Sequence, residues 1–397
     1  MFVRSAFVAA LLLVAVGARG QSVTSVQGLG YPMVGADARA EALGGLGIGL
    51  MGTSASLTNP ASVAGTVRRG VVVSGVATER TSTLGDASAG TGTTRFPLIR
   101  LLFPMGRVVL TAGYGAFLDQ SWSVARDGAL TVVDQEVAYQ DVVESTGGVG
   151  QAQIGAAIPV GRYLALGVAV GTYTGGQDVS LRRTFDPADI GTLEPYTEDR
   201  AVRYSGLLTR VGFRLDAGSM LRVGGSATWS GRLTADSVEG PVPGTAYDLP
   251  LQLAAGASAY LSPGLLATVS GRWSGWSGTD PSGGLGLADG DVDSRDTWEL
   301  GAGLEIDDPA SRAARSFPIR AGFQYRELPF SFGDESPSEW AAGLGVGLRI
   351  GPDITTPLAR IDLTVQRGAR TAPGSQVVPA LDETFWRFVV GISIFGT

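Results

Sequence analysis

The sequence of 397 residues contains no cysteine, no histidine and no lysine, and its single asparagine is Asn59. Without these side chains the chain cannot form a disulfide, a Ser-His-Asp or Cys-His catalytic group, a lysine Schiff base, or a thiolate or imidazole zinc site. Charged residues are also scarce, at 17% against about 25% in ordinary soluble domains. The composition therefore excludes the commonest enzyme classes, and we expect neither catalysis nor a bound cofactor or metal.

What the chain has instead is an acidic balance and an excess of glycine. The net charge is −7, and all 30 basic residues are arginine. A nucleic-acid partner is not expected, because binding to phosphates requires a basic surface. Glycine occurs 59 times, about twice the usual share of roughly 7%.

The first 20 residues have the pattern of an export signal. Arg4 supplies a positive charge ahead of an apolar run over residues 6–16, and the small residues Ala18 and Gly20 follow. Small residues at positions −3 and −1 of the cut are typical of a signal-peptidase site. The apolar run is shorter than the roughly 20 residues that a spanning helix needs. We therefore predict a signal peptide over residues 1–20, cleaved after Gly20.

Most of the remaining chain alternates between apolar and polar residues with a period of two. In residues 298–306, the apolar residues Trp298, Leu300 and Leu304 alternate with Glu299, Glu305 and glycines. Only a β-strand sorts such a pattern onto two faces. The same alternation recurs in residues 221–230, 265–273, 319–326 and 361–366.

Counting these segments predicts about fourteen strands, many of them 10–15 residues long, between residues 66 and 397. Short turns are expected at residues 104–106, 159–161, 216–218 and 262–264. Longer polar loops are expected near residues 80–93, 125–146, 179–196, 235–247, 278–294 and 371–382, and residues 125–146 are long enough for a further hairpin.

Long strands, short turns on one side and long loops on the other are typical of a transmembrane β-barrel. A soluble β-sandwich would have shorter strands and a charged outer face, and a β-helix would have a short fixed repeat. Tryptophans near strand ends, as at Trp229, Trp298 and Trp386, suit the two membrane interfaces. We predict an all-β, antiparallel barrel in the outer membrane of a Gram-negative cell.

Residues 38–50 and 54–64 carry a resemblance to a known family. The first stretch has an Ala-Arg followed by a glycine-rich run, and the second contains Asn59-Pro60-Ala61. The pattern resembles the N-terminal signature of the FadL long-chain fatty-acid transporter superfamily and its PorV-like relatives. The resemblance implies a fourteen-stranded barrel over residues 66–397, with residues 21–65 folded into the lumen as a hatch. By this resemblance, the residues that form the hatch include Gly44, Gly45, Gly47, Gly49, Asn59 and Pro60.

Several charged residues fall on the polar face of the expected strands, which would face the lumen. They are Arg210, Arg222, Arg272, Arg320, Arg360, Glu299 and Asp362. One interpretation is a cationic wall that attracts anionic solutes or a carboxylate head group. The alternative is an ion-paired network that braces the wall and the hatch, which we favour because unpaired charges in a narrow lumen are costly.

Two further motifs are weak. Residues 47–52 match the glycine pattern of dinucleotide-binding loops, but neither a preceding strand nor a following acidic residue accompanies them. Asp289, Asp291 and Asp293 form an acidic cluster, yet Ser294 stands where a calcium loop has glycine. Calcium binding there stays an open question, and we expect a solvated loop.

These observations lead to three hypotheses of function. The first is passive uptake of hydrophobic small molecules such as long-chain fatty acids. The second is a PorV-like barrel that serves as partner of a machine for protein secretion or surface attachment, and the third is a structural outer-membrane protein. The expected partners are outer-membrane lipid, a hydrophobic small-molecule ligand and the barrel assembly machinery. The aromatic residue recognised in assembly would be Phe395, two residues before the end.

Overall fold

The computed structural model describes residues 28–396, except for residue 53 and nine short internal stretches. The predicted signal peptide and the first seven residues of the expected hatch lie outside the described part. The stretches left out are residues 85–86, 133–134, 186–193, 241–243, 281–292, 308–316, 332–335, 352–356 and 373–379, and nothing is described beyond residue 396.

Most of the described residues lie in β-strands. The first strands are β1 (Tyr31–Pro32), β2 (Gly70–Leu84), β3 (Ala87–Met105), β4 (Val108–Asp119), β5 (Trp122–Val132), β6 (Gln135–Val160), β7 (Leu164–Phe185), β8 (Tyr196–Ala217) and β9 (Leu221–Ser230). The others are β10 (Arg232–Glu239), β11 (Thr245–Asp248), β12 (Gln252–Ser262), β13 (Leu265–Ser274), β14 (Thr297–Ile306), β15 (Ile319–Glu327), β16 (Ser338–Ile350), β17 (Ala359–Ala372) and β18 (Leu381–Phe395).

Helices are few and short in the described part of the chain. The one α-helix is α1 (Ala38–Ala42), and two 3₁₀ helices cover Pro60–Val63 and Trp276–Gly278. None of these helices is long and apolar enough to cross a membrane.

The strands form a closed antiparallel barrel of fourteen wall strands. Closure is made by β18, which pairs with β2 from Phe395 opposite Gly70 to Leu381 opposite Leu84. Three wall strands are interrupted: β4 and β5 both pair with β6, β9 and β10 both pair with β8, and β11 leads into β12. The predicted strand number and fold class are therefore confirmed.

The period-two alternation decides which side chains face outward. On β14, Trp298 and Leu300 are half-exposed, whereas Glu299 and Glu305 are buried inside the barrel. The outward apolar side chains form the band that contacts lipid, since a barrel wall in a bilayer has its apolar residues outside. Half-exposed tryptophans mark one end of this band, at Trp229, Trp298, Trp340 and Trp386.

The two ends of the barrel differ. Tight turns with a positive-φ glycine join strands at one end, at Gly106, Gly161, Gly218 and Gly264. We call this the short-turn end, and β2 begins and β18 ends there.

At the opposite end the strands run further than expected. Residues 80–93 and 125–146 were expected to be long loops, and this was wrong. There β2 and β3 stay paired up to Leu84 opposite Ala87, and β5 and β6 form the hairpin that the length of residues 125–146 allowed. These parts extend beyond the apolar band, so neither face needs apolar residues and the alternation in hydropathy disappears although the backbone pairing continues.

Candidate functional site in the barrel lumen

The described residues between 28 and 65 lie inside the barrel and contact its wall on several sides. We call them the lumenal segment. Its strand β1 pairs with β4, its helix α1 packs against β15 to β18, and its 3₁₀ helix Pro60–Val63 packs against β6, β7 and β8. The segment therefore crosses the lumen rather than following one side of it.

Asp37 organises the first half of the lumenal segment. One carboxylate oxygen caps α1 by accepting from the Ala40 N–H at 3.0 Å. The other accepts from the Ser54 hydroxyl at 2.9 Å and from the Ala55 N–H at 2.6 Å. A single buried carboxylate thus ties α1 to the chain that follows it 17 residues later.

Asn59 and Pro60 anchor the second half of the segment to the wall. The Asn59 Oδ1 accepts from the Ala61 N–H at 2.9 Å and caps the 3₁₀ helix, in which Pro60 is the first residue. The Asn59 amide also donates to the Phe213 carbonyl of β8 at 2.9 Å. The only asparagine of the chain therefore fixes the segment to β8.

The four predicted hatch glycines all adopt positive φ, at Gly44, Gly45, Gly47 and Gly49. Gly44 and Gly49 also approach the wall backbone so closely that a Cβ atom on either would overlap Ala302 or Gly256. Glycine is required at these two positions, because other residues rarely adopt this conformation and would have no space.

The wall facing the segment is itself lined with glycine, which the sequence analysis missed. A Cβ atom on any of these residues would overlap or crowd the lumenal segment. We call this set the glycine belt: Gly113, Gly115, Gly167, Gly212, Gly224, Gly256, Gly301, Gly303, Gly322, Gly345 and Gly391. The sequence does place glycine repeatedly at lumen-facing positions of the strands. Serine or threonine would suit a strand equally well at these positions, so the repeated glycine could have indicated a close contact inside the barrel.

A buried ion-pair network joins the lumenal segment to the wall near the short-turn end. Arg39 of α1 makes a bidentate contact with Glu305, at 2.5 and 2.8 Å. Arg320 bridges Glu305 at 2.6 Å and Asp362 at 2.7 Å, and Arg360 contacts Asp362 at 2.6 Å. Of the predicted wall residues, Arg320, Arg360 and Asp362 therefore belong to one network.

Other wall arginines hold the backbone of the segment directly. Arg210 and Arg222 were predicted to face the lumen, and Arg100 was not singled out. Each donates to carbonyl groups that the short 3₁₀ and loop stretches leave without a helical partner. The acceptors are Leu57 for Arg210, Leu50 and Gly52 for Arg222, and Ala55 and Ser56 for Arg100.

A second network lies further toward the opposite end. Arg272 pairs with Glu299, and Arg326 lies between Glu299 and Glu339. Arg370 pairs with both Glu339 and Glu383 at 2.5 Å. Since each predicted wall residue has an opposite charge or a carbonyl as partner, the geometry supports the bracing interpretation over an open cationic wall.

One side of the wall is incompletely paired. β3 pairs with β4 only from Leu98 opposite Gly115 to Met105 opposite Val108, and β4 then pairs with β1 instead. The register shift between β2 and β3 leaves residues 96 and 97 as a bulge at this point. We call the gap between residues 95–97 and 116–119 the seam. It is bridged by Arg95, which contacts Asp119 at 2.5 Å and the Ser121 hydroxyl at 2.9 Å.

An apolar cluster fills the lumen between the seam and the end opposite the short turns. Phe117 of β4 packs on Tyr173 with ring centroids 4.6 Å apart and on Trp276 at 6.3 Å, and Trp276 contacts Phe330 at 5.5 Å. Leu29 of the lumenal segment belongs to the same cluster. The lumen is thus apolar between the seam and the end opposite the short turns.

Metal chemistry has no visible basis in the described residues, where no three acidic side chains gather as a metal site would need. Of the acidic loop, Asp289 and Asp291 lie outside the described part of the chain, so the calcium question is not tested.

The sequence of this barrel matches a known protein family. The model of the BamG family matches residues 1–218, more than half of the chain. The chain belongs to the BamG family. No curated protein matches it.

Solved structures share the fold of this BamG-family barrel at low sequence identity. A FadL homologue of Pseudomonas aeruginosa is 13% identical with a TM-score of 0.64, over 92% of this chain and 99% of its own. The toluene transporter TbuX of Ralstonia pickettii is 18% identical with a TM-score of 0.57, over 90% and 97%. The toluene transporter TodX of Pseudomonas putida is 12% identical with a TM-score of 0.58, over 92% and 99%. The chain thus shares the fold of FadL-type barrels, and the fold that the resemblance implied is confirmed.

Proposed function

We propose that the chain is a passive outer-membrane channel for hydrophobic small molecules, with the lumenal segment as its gate. The observation that carries the proposal is that the lumenal segment crosses the lumen beside an incompletely paired seam in the wall. The similar solved barrels include transporters of toluene and a FadL homologue, which supports uptake of apolar compounds. Long-chain fatty acids are one candidate substrate class within this proposal.

The route that we propose runs from the apolar cluster sideways through the seam. Phe117 and Leu118 belong to the cluster and lie on the strand that borders the seam. An apolar molecule is stabilised by about 0.8 kcal/mol for each CH₂ group removed from water, so exit into lipid is favoured over exit into the periplasm. In the closed state described, Arg95 and Asp119 hold the seam shut.

Export and insertion complete the proposal. Residues 1–20 direct the chain across the inner membrane and are removed, and the barrel assembly machinery inserts the product. The strand that would be recognised is β18, whose Phe395 lies opposite Gly70 at the point of closure.

Closing the seam covalently should abolish uptake. Because the chain has no cysteine, the double variant Arg95→Cys/Asp119→Cys carries the only two thiols. A short bis-methanethiosulfonate linker would then fix β3 to β4. We expect uptake of a fluorescent hydrophobic probe into cells to fall to the level of cells without the protein, and to return after reduction with dithiothreitol.

The matched control joins two strands that are already paired. Leu344 of β16 lies opposite Val365 of β17, so Leu344→Cys/Val365→Cys with the same linker leaves the wall unchanged. Uptake should then continue. Undiminished uptake through a cross-linked seam would contradict the lateral route.

A second candidate function is favoured by the family match. A BamG-family barrel could serve as a partner of the barrel assembly machinery or of a secretion machine, without transporting small molecules itself. Two experiments distinguish the two functions. The first is affinity purification of the protein at its native abundance, and the second is a probe-uptake assay on a strain from which the protein has been deleted. Stable recovery of assembly components with unchanged uptake in that strain favours the partner role.

A further inference from the structure

A small cavity of about 60 Å³ lies behind the seam, between the wall and the lumenal segment. Its wall side is formed by Thr78 and Arg80 of β2 and by Thr93 and Arg95 of β3. Its other lining residues include Tyr31 and Glu41 of the lumenal segment and Arg326, Arg370 and Arg387 of the second ion-pair network. Charged and hydroxyl side chains therefore line much of this cavity, unlike the apolar cluster beside it.

Among the arginines that line this cavity, Arg80 has the most distant carboxylate partner. It is 10% exposed, and its nearest carboxylate, Glu383, lies at 3.9 Å and is already paired with Arg370. The Arg80 Nε atom is buried without a hydrogen-bond partner in the described structure. A buried cation without full pairing is costly, because the lost hydration is not replaced.

The charges around the cavity do not balance. Six guanidinium groups meet there with five carboxylates among the described residues. They are Arg80, Arg95, Arg272, Arg326, Arg370 and Arg387, against Glu41, Asp119, Glu299, Glu339 and Glu383. In this set the guanidinium groups outnumber the carboxylates by one, and Arg80 is the group whose carboxylate partner is most distant, at 3.9 Å.

Two hydroxyl groups complete the surroundings of Arg80. Thr78 and Thr93 are both buried, and both line the cavity. A single water needs roughly 10–15 Å³ of such space, so this cavity holds a group of a few heavy atoms.

We propose that the cavity is a binding site for one small, carboxylate-sized monoanion, held by Arg80 and by the hydroxyls of Thr78 and Thr93. The anion supplies the missing negative charge and satisfies the free Nε donor. Since the cavity is closed on one side by Tyr31 and Glu41, an occupied site stabilises the docked position of the lumenal segment. The site is independent of whether the barrel transports anything.

The test is a titration of the purified protein in detergent with sodium formate, which replaces a bulky sulfonate salt at constant ionic strength. We expect a saturable rise in the thermal unfolding midpoint. In Arg80→Gln the apparent affinity should fall about tenfold or more, since a hydrogen bond to a charged group contributes about 1.5–3 kcal/mol. Arg80→Lys should keep part of the effect, and bromide soaked into crystals should give an anomalous peak beside Arg80.

Arg203→Gln is the matched control, because Arg203 is an exposed arginine whose side chain is 52% accessible. It should respond to formate as the unchanged protein does. If Arg80→Gln does not fold, the double variant Thr78→Val/Thr93→Val tests the same site without altering charge. Equal responses of the site variants and the unchanged protein, or no response to formate or octanoate, would overturn the proposal.

Two sources of the anion are distinguished by comparing formate, octanoate and methyl octanoate. A response to formate identifies a free small anion, and a response to octanoate alone identifies the head group of an amphipathic molecule. Both responses should need about tenfold or more ligand in Arg80→Gln. An equal, Arg80-dependent response to the uncharged ester would contradict an anion site.

Discussion

Gly301→Val should release the lumenal segment and open the barrel. Gly301 faces the lumen on β14, and a Cβ atom there would overlap the carbonyl group of Gly44. Valine suits a strand, so the wall itself should tolerate it. Overpacking costs about 1–3 kcal/mol, which would shift the equilibrium between docked and released segment about 5- to 150-fold. Planar-bilayer recordings should show frequent openings that the unchanged protein lacks.

Gly271→Val provides the matched control. Gly271 lies on the neighbouring strand β13 opposite Leu300, on the lipid-facing side, and the side chain that it would meet is Leu300 at 3.2 Å. This variant should conduct like the unchanged protein. If both variants conduct equally, the glycine belt has no role in holding the segment.

Arg39→Met should have the second large effect. It removes the bidentate partner of Glu305 and leaves that carboxylate, 2% exposed, with Arg320 alone. Breaking a buried ion pair by removing one partner costs about 3–5 kcal/mol, because the remaining charge stays desolvated. We expect the docked segment to become accessible to protease at residues 39–52 in detergent while the barrel stays folded.

The comparison with an exposed ion pair isolates the effect of burial. Arg203 and Asp178 pair at 2.8 Å with both side chains more than half exposed. Exposed pairs contribute about 0–1 kcal/mol, so Arg203→Met should leave protease resistance unchanged. Equal sensitivity of Arg39→Met and the unchanged protein would show that the Arg39–Glu305 pair does not hold the segment.

The wall could be predicted from sequence because its pattern is local. The alternation of Trp298, Leu300 and Leu304 with Glu299 and Glu305 reports the two faces of β14, and the turn glycines report where strands reverse. Each of these two patterns depends on a few neighbouring residues. Successive strand positions face lipid outside and the crowded lumen inside, so they require apolar and polar or small side chains in turn.

The remaining features depend on contacts that are distant in sequence. Nothing in the local sequence shows that position 301 must be glycine rather than serine. Glycine is needed there because Gly44, 257 residues earlier in the chain, lies against it. The seam follows from a bulge at residues 96 and 97, where Pro97 was the sole local signal. The hairpin of β5 and β6 extends beyond the apolar band, so hydropathy carried no information about it.

The most direct test of the gate is the single-channel conductance of a variant that lacks residues 28–58. Asn59 and Pro60 remain, so the connection into β2 is preserved. Heat-modifiable migration in gels would confirm a folded barrel. We predict a steady conductance far above that of the full chain, since the deletion removes the residues that cross the lumen. A folded variant with the conductance of the full chain would contradict the account, because the lumenal segment would then not be what closes the barrel.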